Sequence, residues 1–313
     1  MPPKDIQGNR YTLIFMIVLS FICALILSIF ASALAKPKEE ARELDRNKQM
    51  MIAAKILSEE GYFLVKNEKG EYIPAIDKGD GVLIPDHKKQ IASSKEILEV
   101  YNKRLIPLLV DDKGNLTTFE AAKLNEAQYI SDYKKVGYYK PPLKLLYKLL
   151  PNPKAGEKNN DLMKTPAEGW VIPVNGFGLW DAIYGYLAIE PNADTIIGIT
   201  WYEQKETPGL GANIAESSWQ SLFPGKQIFQ ENADGSTDFK TAPLGITVVK
   251  GKVAEVYGNA PKAKSAVDGM AGATLTGNGV TDAYKHTLAP YRPFFLKLHA
   301  ENTKEGKSKE VKT

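Results

Sequence analysis

The chain has 313 residues, 25% charged and 43% hydrophobic, a globular balance with apolar material for a sizeable core. A net charge of +3, with no long basic stretch carrying interleaved aromatics, argues against a nucleic-acid partner. Cys23 is the one cysteine and His87, His286 and His299 the only histidines, so cysteine-held or histidine-rich metal centres are set aside and any redox role falls to an organic cofactor.

After a short tail, residues 1–10, the segment Tyr11–Ala35 reads YTLIFMIVLSFICALILSIFASALA and carries no charge. Such a run makes a helix of roughly 37 Å, enough to cross a hydrocarbon core of about 30 Å with some tilt. The competing reading is a cleaved signal peptide, with Lys4 and Arg10 as its basic start and Ala33-Leu34-Ala35 as its cleavage site. Secretory apolar cores run to about 7–15 residues, so length favours an anchor in the lipid bilayer. Lys36, Lys38, Arg42, Arg46 and Lys48 follow the span, and a plain charge count would keep the next domain cytoplasmic. Long domains translocate largely regardless of that count, so orientation stays open on these residues. Over residues 36–60, Met50, Ala53, Ala54 and Leu57 recur at helical spacing. The pattern predicts a helix leading out of the membrane, either a solvated stalk or a contact with a partner subunit.

Residues 61–168 are weakly periodic, with short apolar runs separated by turn signals at 68–70, 77–81 and 112–115. The polar, Pro-bearing stretch Pro151–Pro166 predicts an exposed loop. Residues 169–300 are richer in signal. Trp170–Trp180, Ile183–Ile189, Ile196–Tyr202 and Ile246–Val249 are β-branched and aromatic, which predicts strands. Asn213–Leu222 places Ala215, Trp219 and Leu222 at helical spacing. Gly279–His286 and Tyr291–Ala300 predict helices interrupted at Pro290 and Pro293, and the charged tail 301–313 predicts disorder. The class is α+β: one transmembrane helix followed by a soluble α+β domain.

Two loops carry candidate chemistry. Glu206–Gly211, ETPGLG, joins a strand to a helix, and its glycines would let backbone approach a planar ligand; an ordinary turn is the alternative. Asp268–Thr276, DGMAGATLT, crowds small residues where a helix opens. An anionic group suits such a place, resting on unpaired amides at the positive end of the helix dipole. The bland alternative makes Thr274 or Thr276 a helix N-cap and Asp268 the end of a turn. No phosphate-binding GxxxxGK[ST] loop and no dinucleotide fingerprint occurs, so the residues alone support a possible phosphate site and no more.

DGMAGAT, Asp268–Thr274, resembles the flavinylation motif of FMN-binding domains, in which the last threonine is modified. The whole chain is similar to the family of C-type subunits of the sodium-translocating NADH:quinone reductases, through ARELDRNKQM (Ala41–Met50), NGFGLW (Asn175–Trp180), ETPGLG and the final helix. The resemblance implies FMN joined through its phosphate to Thr274 by a flavin transferase using FAD, with Asp268, Gly272 and Ala273 completing the motif. Asp268 would serve that transfer rather than electron flow. It implies a flavin ring set against Leu179, Trp180, Thr207, Gly209, Leu210 and Gly211. No catalytic residue and no metal ligand is assigned. The implied role is to pass single electrons among the subunits of a membrane complex that oxidises NADH, reduces ubiquinone and exports sodium, from a soluble domain on the periplasmic side of the bacterial inner membrane. Ala271 departs from the motif, where Ser or Thr is usual, and removes a hydroxyl from the loop. Thr276 is the fallback attachment point. The rivals are the FMN-bearing G-type component of Rnf-type ferredoxin-oxidising complexes, which lacks much of 61–168, and a cofactor-free tethered scaffold that grips a partner with its aromatic cluster.

Overall fold

The computed structural model describes residues 9–153 and 162–310, with side chains described through residue 302. Residues 1–8 of the expected tail, 154–161 of the expected loop and 311–313 lie outside the described residues. The chain divides into two units, Met1–Arg46 and Asn47–Thr313. In the first unit, every side chain from Arg10 to Glu43 is exposed, on a helix long and apolar enough to cross a membrane. That helix, α1, spans Asn9–Ala53, and its residues from Asn47 onward belong to the second unit.

The expected stalk over 36–60 is corrected in two respects. The helix ends at Ala53, where Lys55 turns the chain at φ 55°, and Met50, Met51, Ala53, Ile56 and Leu57 are buried rather than solvated. Thr200 Oγ1 donates to Gln49 O at 3.3 Å, and Gly198 lies against Ala53 O. This end of α1 is a core element because its side chains exclude water from one face of a sheet.

β1 (Phe63–Lys66), β2 (Tyr72–Asp77) and β3 (Leu83–Pro85) form a small antiparallel sheet whose turns fall at the predicted Gly70 and Gly79. α2 (Ser94–Arg104) begins with a capping box, Ser93 Oγ accepting from Glu96 N while Glu96 returns the bond to Ser93 N. The chain continues through β4 (Leu105–Val110), β5 (Leu116–Thr117), α3 (Glu126–Tyr133), β6 (Lys144–Leu149), β7 (Gly169–Phe177), β8 (Ala182–Ile189) and β9 (Ile196–Glu203). These strands, apart from β1 to β3, make one six-stranded sheet in the order β5-β4-β6-β7-β8-β9, every neighbour antiparallel. The β6–β7 pairing runs across residue 168, so 61–168 and 169–300 share a single sheet and are not separate bodies.

The expected helix over 213–222 is corrected to a 3-10 turn at Gly211–Ala215 and a short α4 (Ser217–Gln220), parted by extended Glu216. Side chains compete with the backbone here: Gln220 Nε2 donates to Ile214 O and Ser221 Oγ to Ser218 O. β10 (Thr247–Val248), α5 (Val253–Val256) and β11 (Ala266–Val267) follow, with β10 and β11 parallel. α6 (Thr274–Leu288) then lies on the sheet face opposite the Asn47–Ala53 end of α1, where Val280, Ala283 and Tyr284 join Val174, Leu187 and Trp201 in one buried cluster. α7 (Arg292–Glu310) restarts after Pro290, with Pro293 in its first turn, where a missing N–H costs nothing. It continues past Glu301, where the sequence predicted disorder, through a stretch of helix-forming Lys and Glu.

Candidate functional site

β11 delivers the chain to Asp268 and α6 begins at Thr274, so the DGMAGAT loop bridges the small parallel pair and the long helix. The cap residue is Ala273, not Thr274 or Thr276, and no side chain caps the helix. The first-turn amides are therefore left to solvent or ligand, at the positive end of the dipole. Gly272 takes φ +73°, a left-handed turn that places Leu210 Cδ2 against it, so the motif touches the ETPGLG loop.

The two threonines differ sharply. Thr274 is exposed, whereas Thr276 is 1% exposed and its Oγ1 donates to Glu206 Oε2 at 2.5 Å. An exposed hydroxyl at the first helical position is open to modification, while the fallback hydroxyl is already engaged and shielded. Asp268 is half-buried. Its Oδ1 accepts from Val253 N at 2.8 Å and its carbonyl accepts from Trp219 Nε1 at 2.9 Å, so it pins the Lys250–Val253 loop beside the motif. Asp268, Gly272, Ala273 and Thr274 line a cavity of about 420 Å³ together with Lys250 and Lys252.

Of the residues expected at the ring, Leu179, Trp180 and Gly211 meet one buried carboxylate that sequence reasoning missed, while Gly209 stands in open space. Glu206, 5% exposed, accepts from Leu179 N at 3.1 Å, from Trp180 N at 2.9 Å and from Thr276 Oγ1. Gly178 leaves the space for this: a Cβ there would collide with the Glu206 carboxylate. Burial pushes the Glu206 carboxyl up, but bonds from Thr276 and the amides of Trp180 and Leu179 outweigh it and hold it below the ordinary carboxylate value. Trp180 Nε1 donates to Thr207 Oγ1 at 3.1 Å, joining the two loops a second time. Leu179 is 50% and Trp180 68% exposed, so the turn offers apolar side chains to solvent above a rigid base. Of the four tryptophans, Trp170, Trp201 and Trp219 are core residues. Gly209 is exposed and Gly211 buried, the amides of Leu210 and Ala212 both donate to Thr207 O, and the loop leads into a short 3-10 turn rather than an α-helix N-terminus.

The FMN-binding domain family matches residues 178–289, which contain both loops and the start of α6. The Na(+)-translocating NADH-quinone reductase C-subunit (NqrC) of Chlamydia caviae is 40% identical over 97% of this chain and 97% of its own. The chain belongs to the NqrC family of Na(+)-translocating NADH-quinone reductases. NqrC of Chlamydia trachomatis is also 40% identical, covering 95% of each chain. The crystal structure of NqrC from Parabacteroides distasonis shares the fold, with a TM-score of 0.50 at 21% identity, covering 84% of this chain and 96% of that one. The FMN-binding match makes FMN the cofactor to test against the geometry. An uncapped helix start, an exposed hydroxyl, two lysines and a cavity lined by small residues fit a phosphate-bearing group.

Proposed function

We propose that this chain is the flavin-carrying component of a membrane NADH:quinone reductase and that it relays single electrons through FMN bonded to Thr274. The observation that carries the reading is the contrast between the two threonines at the head of α6. Thr274 is exposed at the mouth of the cavity, and Thr276 is buried on Glu206. Attachment forms a bond from Thr274 Oγ to the phosphorus of the FMN half of FAD and breaks the pyrophosphate, releasing AMP and the hydroxyl proton. No base adjoins Thr274 in sequence, which is consistent with a separate flavin transferase doing this work.

Bound FMN supplies reversible one-electron chemistry, and the protein's share is orientation and tuning. The α6 amides, Lys250 and Lys252 would hold the phosphate, and Leu179, Trp180, Thr207 and Leu210 would flank the ring. Asp268 fixes the lysine-bearing loop and would present the motif to the transferase. The apolar helix anchors the chain in the bacterial inner membrane with the folded domain on the periplasmic side, among the other subunits of a complex that reduces ubiquinone and exports sodium. Identity along nearly the full length of the NqrC relatives supports this reading over an Rnf-type flavin carrier.

The test is direct. Full-length protein made with a co-expressed flavin transferase is denatured, run on a gel and viewed under ultraviolet light. A fluorescent band, with peptide mapping that places the FMN adduct on Thr274, supports the proposal. A dark band with unmodified intact mass removes it and leaves a tethered scaffold.

A further inference from the structure

We infer that Glu206 is a positioning residue of the flavin site: its buried carboxylate locks the Leu179–Trp180 turn onto α6, and its charge biases the site toward oxidised flavin. The inference rests on the reading of the site given above. Three segments far apart in sequence meet at this one group. They are the turn after β7, the loop after β9, and the first-turn residue Thr276 of α6. Two consecutive backbone amides and one hydroxyl point at two carboxylate oxygens, so all three partners donate and the group between them must accept. An ionised carboxylate does this fully. A glutamine cannot, because its NH2 would face one of the two amides and leave a donor unpaired in a buried place.

The consequences reach the surface. Leu179 and Trp180 display their side chains outward while their amides are tied inward, so the carboxylate holds the exposed platform from beneath. Trp180 is fixed a second time through Thr207, which belongs to the loop that Glu206 begins. A negative charge shielded from water also acts on its surroundings more strongly than an exposed one. Adding an electron beside it is disfavoured, and neutralising it favours reduction.

Two measurements on the full chain in detergent separate these roles from simple support of the fold. The first uses the flavin-free Thr274→Leu background and reads amide hydrogen exchange at Leu179 and Trp180. Glu206→Gln should raise exchange at these two positions at least tenfold, and Glu206→Asp, which keeps the charge, should restore part of the protection. Unchanged exchange in Glu206→Gln overturns the positioning role. The second reads the flavin midpoint potential in the flavinylated chain. Glu206→Gln should shift the oxidised-to-reduced equilibrium about tenfold toward reduced, roughly 59 mV for one electron. Glu206→Asp and the exposed-charge control Glu203→Gln should stay near wild type. A Glu206→Gln midpoint equal to wild type, or a control that moves as far, overturns the charge role. Wild-type protein that carries no flavin defeats the underlying reading of the site and the redox half with it, while the exchange measurement still decides whether Glu206 holds the turn.

Discussion

Two cavities of nearly equal size show what distinguishes a ligand site from a packing defect. One, of about 400 Å³, lies among the end of α1, the small sheet and the end of α2, and is lined by Lys55, Lys66, Tyr72, Arg104 and Glu168. Its central pair is closed: Arg104 Nε donates to Leu150 O at 2.6 Å and Nη2 to Glu168 Oε2 at 2.5 Å. The other, of about 420 Å³ at the head of α6, sets Lys250 and Lys252 beside the small residues Gly251, Gly269, Gly272, Ala273 and Gly277. Its donors are a helix start that, among the described residues, has no side-chain cap. A cavity whose polar groups are already paired holds the fold together. A cavity that keeps its donors unspent is suited to a ligand.

Breaking the second cavity's chemistry should give the largest effect. Thr274→Leu should abolish in-gel flavin fluorescence altogether while leaving the unfolding free energy within about 0.5 kcal/mol of wild type, since the side chain is exposed. Persisting fluorescence would move the attachment elsewhere. Next comes Gly279→Ala on α6, where a Cβ would be driven into the carbonyl of Phe177. Backbone cannot yield as a flexible side chain does, so a loss of about 3 kcal/mol in denaturant unfolding is expected, with flavin loading falling alongside it. Arg104→Ala strikes the first cavity instead. Removing the guanidinium strands Leu150 O and Glu168, and because Glu168 is partly open to water the cost should be about 2 kcal/mol. Flavin loading per folded molecule should not change. A loading defect in that variant would erase the distinction between the two cavities.

How much of this was readable beforehand follows the same divide. β7, β8 and β9 are long β-branched and aromatic runs, and they lie largely where Trp170–Trp180, Ile183–Ile189 and Ile196–Tyr202 placed them. Residues 61–168 were opaque because β4 and β6 are largely buried on both faces and show no alternation, even Lys144 and Lys148 being buried. The capping box at Ser93 and Glu96 was a legible helix start that the weak periodicity around it concealed. At the site, the place of the motif just ahead of a helix was legible and its connection to ETPGLG was not. Nothing local in ETPGLG reveals that Glu206 reaches Thr276, far along the chain, because that pairing exists only once the sheet and α6 are assembled. Nor could spacing show that Thr276 is shielded and Thr274 open, which is the distinction the attachment depends on.

A smaller effect concerns pH. The Glu206 carboxyl is held below its ordinary value of 4.5 in the folded protein, so the unfolded chain binds its proton first as pH falls. Its stabilisation is fully present above about pH 4.5 and is lost as pH drops through the lowered folded-state value. The wild type minus Glu206→Gln difference in unfolding free energy should shrink by on the order of 1 kcal/mol across that descent. A difference that stays flat from about pH 6 downward would mean the carboxylate is not held in its ionised form.

The finest test of the cavity comparison adds a donor rather than removing one. Ala271 stands at the exposed rim of the DGMAGAT loop, where the flavinylation motif usually carries a hydroxyl. If the helix amides and the two lysines receive the phosphate, Ala271→Ser supplies one further hydrogen bond worth about 1 kcal/mol, or roughly a fivefold faster gain of fluorescence during transferase treatment. Stability should move by less than about 0.5 kcal/mol, because the position is exposed. Repeating the substitution in a Lys250→Gln, Lys252→Gln background sharpens the result. There the serine should accelerate loading by a larger factor, since the positive charges that share the phosphate are gone. An equal factor in both backgrounds would mean that hydroxyl and lysines act on different steps, and that the lysines do not receive the phosphate.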